Sequence, residues 1–250
     1  MVAMCPTVIN GRWLLELPEH RAARPQWDIQ NGGWEPERLA SMAANIQPGW
    51  TVYDIGAEEG DLPALWASWG AWVVLFEPNP KVWPNIKVIF EGNDLADSVR
   101  GCFVGFAGDI DRTPGRMNRL DGTGWCTGWW PEAADGEVIG DHGFMNLWER
   151  PDVPSTTIDT AALVAGPPDA VTIDVEGAEL QVLQGANRTL NETRPFVWVS
   201  IHPEFMADGY GTNPDQIHDL MGGHGYEAEH LATDHEEHWV FWPAERKLAR

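Results

Sequence analysis

The sequence predicts an α/β fold: a doubly wound, mostly parallel sheet that ends in an antiparallel hairpin. Three observations carry that reading. Short continuous apolar runs alternate with helical patterns along most of the chain, as parallel strands buried on both faces require. There are five such runs. After them, two strand patterns follow each other with only a polar turn between, so they pair as a hairpin. A length of 250 residues suits one such domain.

Residues 1–33 read as an irregular N-terminal extension, punctuated by Pro6, Pro18, Pro25 and Gly32-Gly33. Residues 36–46 read as a helix, since Pro36 suits a first turn and Pro48-Gly49 ends it. The first strand is 50–55. A helix over 61–69 follows, with Leu62, Leu65, Trp66 and Trp69 at helical spacing and Gly70 as its stop. The second strand is 71–76, followed by a helix over 81–90 that tolerates Pro84, and by a third strand at 102–107. Residues 111–150 break the pattern with seven glycines and four tryptophans. A stretch this long without periodicity is a functional insertion or a disordered loop. Strand 170–175, helix 177–190, strand 196–201 and helix 214–223 resume the alternation, and 226–231 with 238–242 form the hairpin. In such a sheet a ligand binds at the carboxyl ends of the strands.

Composition narrows the partners. Acidic residues number 38 against 16 basic ones, for a formal net charge of −22. That surface repels phosphate backbones and anionic lipid, which excludes nucleic acid and membrane as expected partners. Cys5, Cys102 and Cys126 form no CxxC pair, zinc pattern or disulfide framework, which points to a reducing, cytoplasmic setting. No apolar run reaches membrane length, and residues 1–20 lack the pattern of a signal peptide. The oligomeric state is left open. Tryptophan is abundant, at 15 residues.

The turn after the first strand reads Asp54-Ile55-Gly56-Ala57-Glu58-Glu59-Gly60. A small-residue turn between strand and helix lets a ligand approach the backbone. Glu77 ends the second strand, where an acidic side chain accepts bonds from two ribose hydroxyls. An adenosine-bearing cofactor is therefore expected. Glu58 and Glu59 stand where a dinucleotide would place its pyrophosphate, an unfavourable meeting of like charges. S-adenosylmethionine carries cationic sulfonium and ammonium groups instead and suits the acidic turn. A plain tight turn with two solvated glutamates is the alternative.

Five segments occur in order: Val-Tyr-Asp-Ile-Gly-Ala-Glu-Glu-Gly (52–60), Leu-Phe-Glu-Pro-Asn-Pro (75–80), Thr-Thr-Ile-Asp (156–159), Ile-Asp-Val-Glu-Gly-Ala-Glu (173–179), and Arg-Pro with Ile-His-Pro-Glu-Phe (194–205). Together they resemble the FkbM family of S-adenosylmethionine-dependent methyltransferases over about residues 34–205. The resemblance implies a Rossmann-like class I methyltransferase domain over 34–250, with a seven-stranded sheet whose last two strands are the hairpin. It implies O-methylation of a hydroxyl on a sugar, glycoconjugate or other small natural product. It implies cofactor contacts from Glu35, Asp54, Gly56, Ala57, Glu58, Gly60, Glu77, Pro78, Ala107 and Asp174. Glu58 stands where the family usually has Asn, and Ser200 where it often has an acidic residue.

Asp174 and Glu176 end the fourth strand and His202 the fifth, so all three are expected at the cofactor's reactive end. A neutral hydroxyl is a poor nucleophile, and His202 has a suitable pKa for a general base. Asp174 or Glu176 would hold the cofactor, orient the histidine or bind an ion; Mg2+ is one option, and metal-free chemistry the other. A strand exit at His202 and a helix cap at Asp174 are the structural alternatives. His230, His235 and His238 read as solvated imidazoles in a polar hairpin turn. Trp125, Trp129 and Trp130 of the insertion are expected to form an acceptor-binding lid, because tryptophan offers a flat apolar face with one N–H donor. Two other functions fit the fold: a catalytically silent nucleoside-binding or interaction module, and a dinucleotide oxidoreductase, which the acidic turn disfavours.

Overall fold

The computed structural model describes residues 2–112, 124–126, 130–139 and 153–249. The N-terminal segment is ordered, contrary to the expectation of an irregular extension. β1 (Met4–Ile9) and β2 (Trp13–Pro18) form an antiparallel hairpin, and a one-turn helix α1 (Glu19–Ala22) follows. The turn is made by Asn10 and Gly11, both at positive φ, with Arg12 N–H bonded to Ile9 C=O at 3.0 Å. Asn-Gly is the dipeptide such turns prefer. Ile9, Leu15, Leu17 and Trp27 are buried and belong to the same apolar layer as Leu39, Trp66 and Trp83 of the main domain.

From α2 (Pro36–Asn45) onward the expected alternation holds. β3 (Thr51–Ile55), α3 (Asp61–Ser68), β4 (Trp72–Phe76), α4 (Trp83–Gly92) and β5 (Val99–Phe103) come first. Pro84 falls in the first turn of α4, where a missing N–H costs nothing. The expected third strand then splits. β6 (Phe106–Ala107) leaves the main sheet after Gly105, a position only glycine fits, since a Cβ there would lie 2.6 Å from Pro154 O and from the Phe103 ring. β6 pairs in parallel with β8 (Ser155–Thr156), so the two ends of the insertion lie side by side. Within the insertion, β7 (Trp125–Cys126) pairs antiparallel with β5 and adds an eighth strand at that edge.

After β8 come α5 (Ile158–Ala165) and β9 (Ala170–Ile173), then α6 (Glu179–Gln184) and α7 (Asn187–Glu192). The single helix expected over 177–190 is broken at Gly185. A Cβ there would lie 2.0 Å from Gly108 O, and the Gly185 carbonyl accepts Asp159 N–H instead of continuing the helix. β10 (Phe196–Ile201), the short helix α8 (Pro203–Phe205), a π-helical turn over Met206–Tyr210, α9 (Pro214–Gly223), β11 (Tyr226–Thr233) and β12 (Glu237–Pro243) complete the chain.

The strand order is β11-β12-β10-β9-β3-β4-β5-β7. β10, β9, β3, β4 and β5 are parallel, whereas β12, β11 and β7 run antiparallel to their neighbours. Side chains alternate between two apolar layers. Val52, Val73 and Leu75 face α2, α3 and α4; Tyr53, Val74 and Phe76 face α5, α6 and α9. The chain reverses its winding between β3 and β9, and the crevice at the carboxyl ends of that pair is the ligand position of doubly wound sheets. Among the described residues, no helix is long and apolar enough to cross a membrane.

Candidate active site

A cavity of about 430 Å³ opens at that crevice. Its floor is the turn after β3. Gly56 sits at φ 94°, and a Cβ there would lie 1.9 Å from Asp174 O, so only glycine lets the turn pass under the end of β9. Asp54, Gly56, Ala57, Glu58 and Gly60 line this side, and Glu77, Pro78 and Ala107 line the next. Glu77 Oε2 accepts Glu58 N–H at 3.0 Å and Oε1 accepts Asn79 N–H at 2.7 Å, which fixes the carboxylate at the cavity wall. Asp54 Oδ1 accepts the Thr172 hydroxyl at 2.7 Å, while Oδ2 is buried without a hydrogen-bond partner among the described residues. Burial pushes Asp54 up to about 7, against the opposing Thr172 bond and the charge of Arg38. Glu35, expected as a cofactor contact, lies behind the wall: its Oε2 accepts from Arg38 at 2.6 Å.

The acidic turn is not a free negative surface. Arg21 of α1 is fully buried and pairs with Asp61, and with Glu59 at 3.2 Å and Glu58 at 3.5 Å. His20 Nε2 lies 2.8 Å from Glu59 Oε2, which also accepts from Asn85 Nδ2 at 3.0 Å. Arg24 lies 3.7 Å from Glu58, at the cavity mouth. The N-terminal segment thus offsets much of the turn's charge, and the electrostatic preference expected from Glu58 and Glu59 alone is correspondingly smaller.

Asp174 and Glu176, which follow β9, also line the cavity. They do not share an extended strand, as the spacing suggested. β9 ends at Ile173, and Glu176 adopts a left-handed conformation at φ 56°. The bend still turns both carboxylates toward His202 Nε2, at 3.8 Å from Asp174 and 3.5 Å from Glu176. His202 itself is buried behind them. Its Nδ1 lies 2.9 Å from Glu179 Oε1, and its Nε2 lies 2.8 Å from Glu236 Oε2. Burial alone would lower the imidazole pKa. The contacts with Glu179 and Glu236 and the charge of Asp174 outweigh it and push His202 up to about 11. His202 does not itself line the cavity and is engaged by Glu179 and Glu236, so the geometry brings Asp174 and Glu176, rather than the imidazole, to the cavity surface. Burial and the neighbouring Glu236 hold Asp174 well above the usual carboxylate range; burial raises Glu176 as well.

Of the histidines expected as solvated, His235 is exposed, but His238 is corrected, and it is buried together with Glu236. Glu236 and His238 are 3% and 0% exposed. His238 Nδ1 lies 3.1 Å from the Ser200 hydroxyl across the β10–β12 pair. Asp174 does not cap α6, whose N-cap is Ala178.

The expected acceptor lid is not where the insertion places its described tryptophans. Trp125 packs on Phe103 at 5.0 Å and edge-on to Phe76 at the sheet margin. Trp130 packs edge-on to Phe90 of α4 at 5.9 Å. Neither lines the cavity, because both fill the apolar edge that β5 and α4 leave open. Trp129 lies outside the described residues. The aromatic residues that do line the cavity are Trp34, Phe76, Phe106 and Tyr210. Trp34 stacks on Trp27 at 4.8 Å and lies 6.0 Å from the Arg24 guanidinium. A tryptophan directly before Glu35-Pro36 at a helix start was the available signal for it. Tyr210 is brought in by the π-helical turn after His202, a device common at functional sites.

The methyltransferase FkbM domain model matches residues 54–228. No curated protein matches the chain. Among solved structures, the methyltransferase FkbM from Methylobacillus flagellatus KT shares 17% identity with a TM-score of 0.49, covering 78% of this chain and 43% of that one. This chain therefore spans less than half the length of that protein. Precorrin-6y C5,15-methyltransferase from Geobacter metallireducens shares 12% identity (TM-score 0.45, covering 82% and 87% of the two chains). TYW2 from P. horikoshii, solved in complex with MeSAdo, shares 13% (TM-score 0.47, 96% and 70%).

Proposed function

The chain belongs to the FkbM methyltransferase family, and on that footing we propose that it transfers a methyl group from S-adenosylmethionine to a hydroxyl of a small acceptor, a sugar, glycoconjugate or other natural product. The observation that carries the reading is one cavity with two chemically different walls. The Gly56 turn and Glu77 make a wall for an adenosine; Asp174 and Glu176 make a wall for the reacting atoms. The residues fit that cofactor. Glu77 is held to receive a ribose diol, and the unpaired Asp54 Oδ2 and the raised Asp174 carboxyl suit a ligand with cationic groups. The bound cofactor supplies an electrophilic methyl group.

The protein supplies position and electrostatics. Arg38, 2% exposed, lies 3.7 Å from Asp174 and fixes that carboxylate at the cavity edge. Asp174 and Glu176 offer acceptor oxygens to a hydroxyl donor arriving on their side. Trp34 supports the acceptor class: its ring offers an apolar face for the C–H side of a sugar or a flat natural product. A magnesium ion would meet oxygen ligands from Asp174 and Glu176, but the nitrogen between them is not a donor that ion prefers. The cytoplasmic setting is carried over from composition alone.

Titration calorimetry with S-adenosylhomocysteine tests the cofactor wall. Glu77→Ala removes charge-assisted bonds, each contributing about 1.5–3 kcal/mol, so affinity should fall by at least about tenfold. Equal affinity in wild type and Glu77→Ala would reject the wall as assigned.

A further inference from the structure

We propose that Asp174, Glu176 and His202 form a binding site for a first-row divalent ion of the manganese or zinc class, with Glu236 as a buried additional donor. The ion's role in transfer rests on the function proposed above, but the site itself does not. The donor atoms of Asp174, Glu176 and His202 all lie within 4.8 Å of one another. Glu236 is 3% exposed and aims Oε2 at the same nitrogen from 2.8 Å, off the direction of a ring N–H bond. That oxygen has no hydrogen-bond partner among the described residues. A buried carboxylate oxygen left in this way calls for a cation.

The other ring nitrogen is already committed. Nδ1 donates to Glu179 Oε1, which also accepts Gly177 N–H at 2.9 Å. A carboxylate behind a histidine is the arrangement that orients metal-binding imidazoles and leaves Nε2 for the ion. Charge points the same way. Among the described residues, Glu35, Asp174, Glu176, Glu179 and Glu236 gather around the Arg38 guanidinium and the His202 ring, with His235 and His238 reaching only the other oxygen of Glu236, at 3.6 and 3.8 Å. Asp174 and Glu176 are part-exposed and line the cavity, so an ion has an entrance and keeps coordination positions open toward the acceptor. A mixed imidazole and carboxylate set favours manganese or zinc over magnesium.

Chelator-stripped protein, residues 1–250, titrated with MnCl2 and separately with ZnCl2 tests the site, by calorimetry and, for manganese, by the Mn2+ paramagnetic resonance signal. One Mn2+ per chain is expected. Affinity should fall at least about tenfold in Glu176→Gln, a part-exposed position that leaves the core intact, and about ten- to hundredfold in Glu179→Gln. About a hundredfold excess of Mg2+ should leave Mn2+ bound. Absence of stoichiometric Mn2+ and Zn2+ binding, unchanged affinity in Glu176→Gln, or full displacement by Mg2+ overturns the proposal. The same preparations are titrated with S-adenosylhomocysteine. Protein that binds Mn2+ but not the nucleoside keeps the site and rejects the proposed function, and the converse result does the reverse.

Discussion

At Asp54 a carboxyl group ends the first parallel strand inside the protein, 5% exposed and with one oxygen unpaired. Its pKa is about 7 when folded, against 3.8 for the free side chain. The direction decides the effect on stability. Below pH 3.8 both states carry the proton, and Asp54 contributes nothing. As pH rises through the window from 3.8 to 7 the unfolded chain ionises first, so stability falls, by about 4 kcal/mol once the folded group has ionised. Asp54→Asn retains an acceptor for Thr172 and removes the ionisation. Its melting temperature should exceed that of wild type at pH 8 and coincide with it near pH 4. Parallel melting curves across that range would show that Asp54 is ionised at low cost. The same strain has a purpose in the proposed reaction: a cation bound beside Asp54 recovers the lost energy, so ligand binding and ionisation favour each other.

The short element α1 carries an equally large electrostatic load. Arg21 reaches Asp61, Glu59 and Glu58 from outside the Rossmann-like domain and is fully buried while doing so. Arg21→Ala leaves at least Glu59 and Asp61 buried without their main cation. Breaking a buried pair on one side costs about 3–5 kcal/mol. Denaturant unfolding should show a loss of that size, and Arg21→Lys should recover only part of it, since an ammonium cannot bond Asp61 and Glu59 with the fork of a guanidinium. A loss below about 1 kcal/mol would reject that role for Arg21. This element also marks where sequence reading stops. The five parallel strands were legible as short, mostly apolar runs, although the third begins at Val99 and ends at Phe103 rather than running over 102–107, and the strand-end rule placed Asp174, Glu176 and His202 together. The β1–β2 hairpin was legible too, in Asn10-Gly11, but Pro6 and Pro18 suggested punctuation instead. Arg21, Glu179 and Glu236 were not legible: each is a charged residue whose burial depends on partners far away in the chain. The insertion tryptophans point the same way, since an aromatic ring at a sheet margin and one over a ligand look identical in sequence.

Across the whole molecule the N-terminal segment is part of the domain it precedes. Ile9, Leu15, Leu17 and Trp27 fill the apolar layer under α2–α4, Arg21 offsets the turn, and Arg24 stands at the cavity mouth. Burying four such side chains contributes about 6–12 kcal/mol, comparable to the entire stability of a typical domain. The same segment also supports Trp34, through its stack on Trp27. A chain that begins at residue 34 should therefore lose cooperative thermal unfolding and S-adenosylhomocysteine binding together, although it retains every residue of the matched family segment, 54–228. A point variant separates the two effects. Trp34→Ala keeps the hairpin and the Arg21 pairs, so it should unfold cooperatively and bind S-adenosylhomocysteine, yet show a several-fold higher KM for a methylated acceptor. A truncated chain that folds and binds the nucleoside as well as the full chain would make the first 33 residues an appendage. A Trp34→Ala enzyme with unchanged KM would move the acceptor away from that ring, toward another aromatic residue of the lining such as Tyr210.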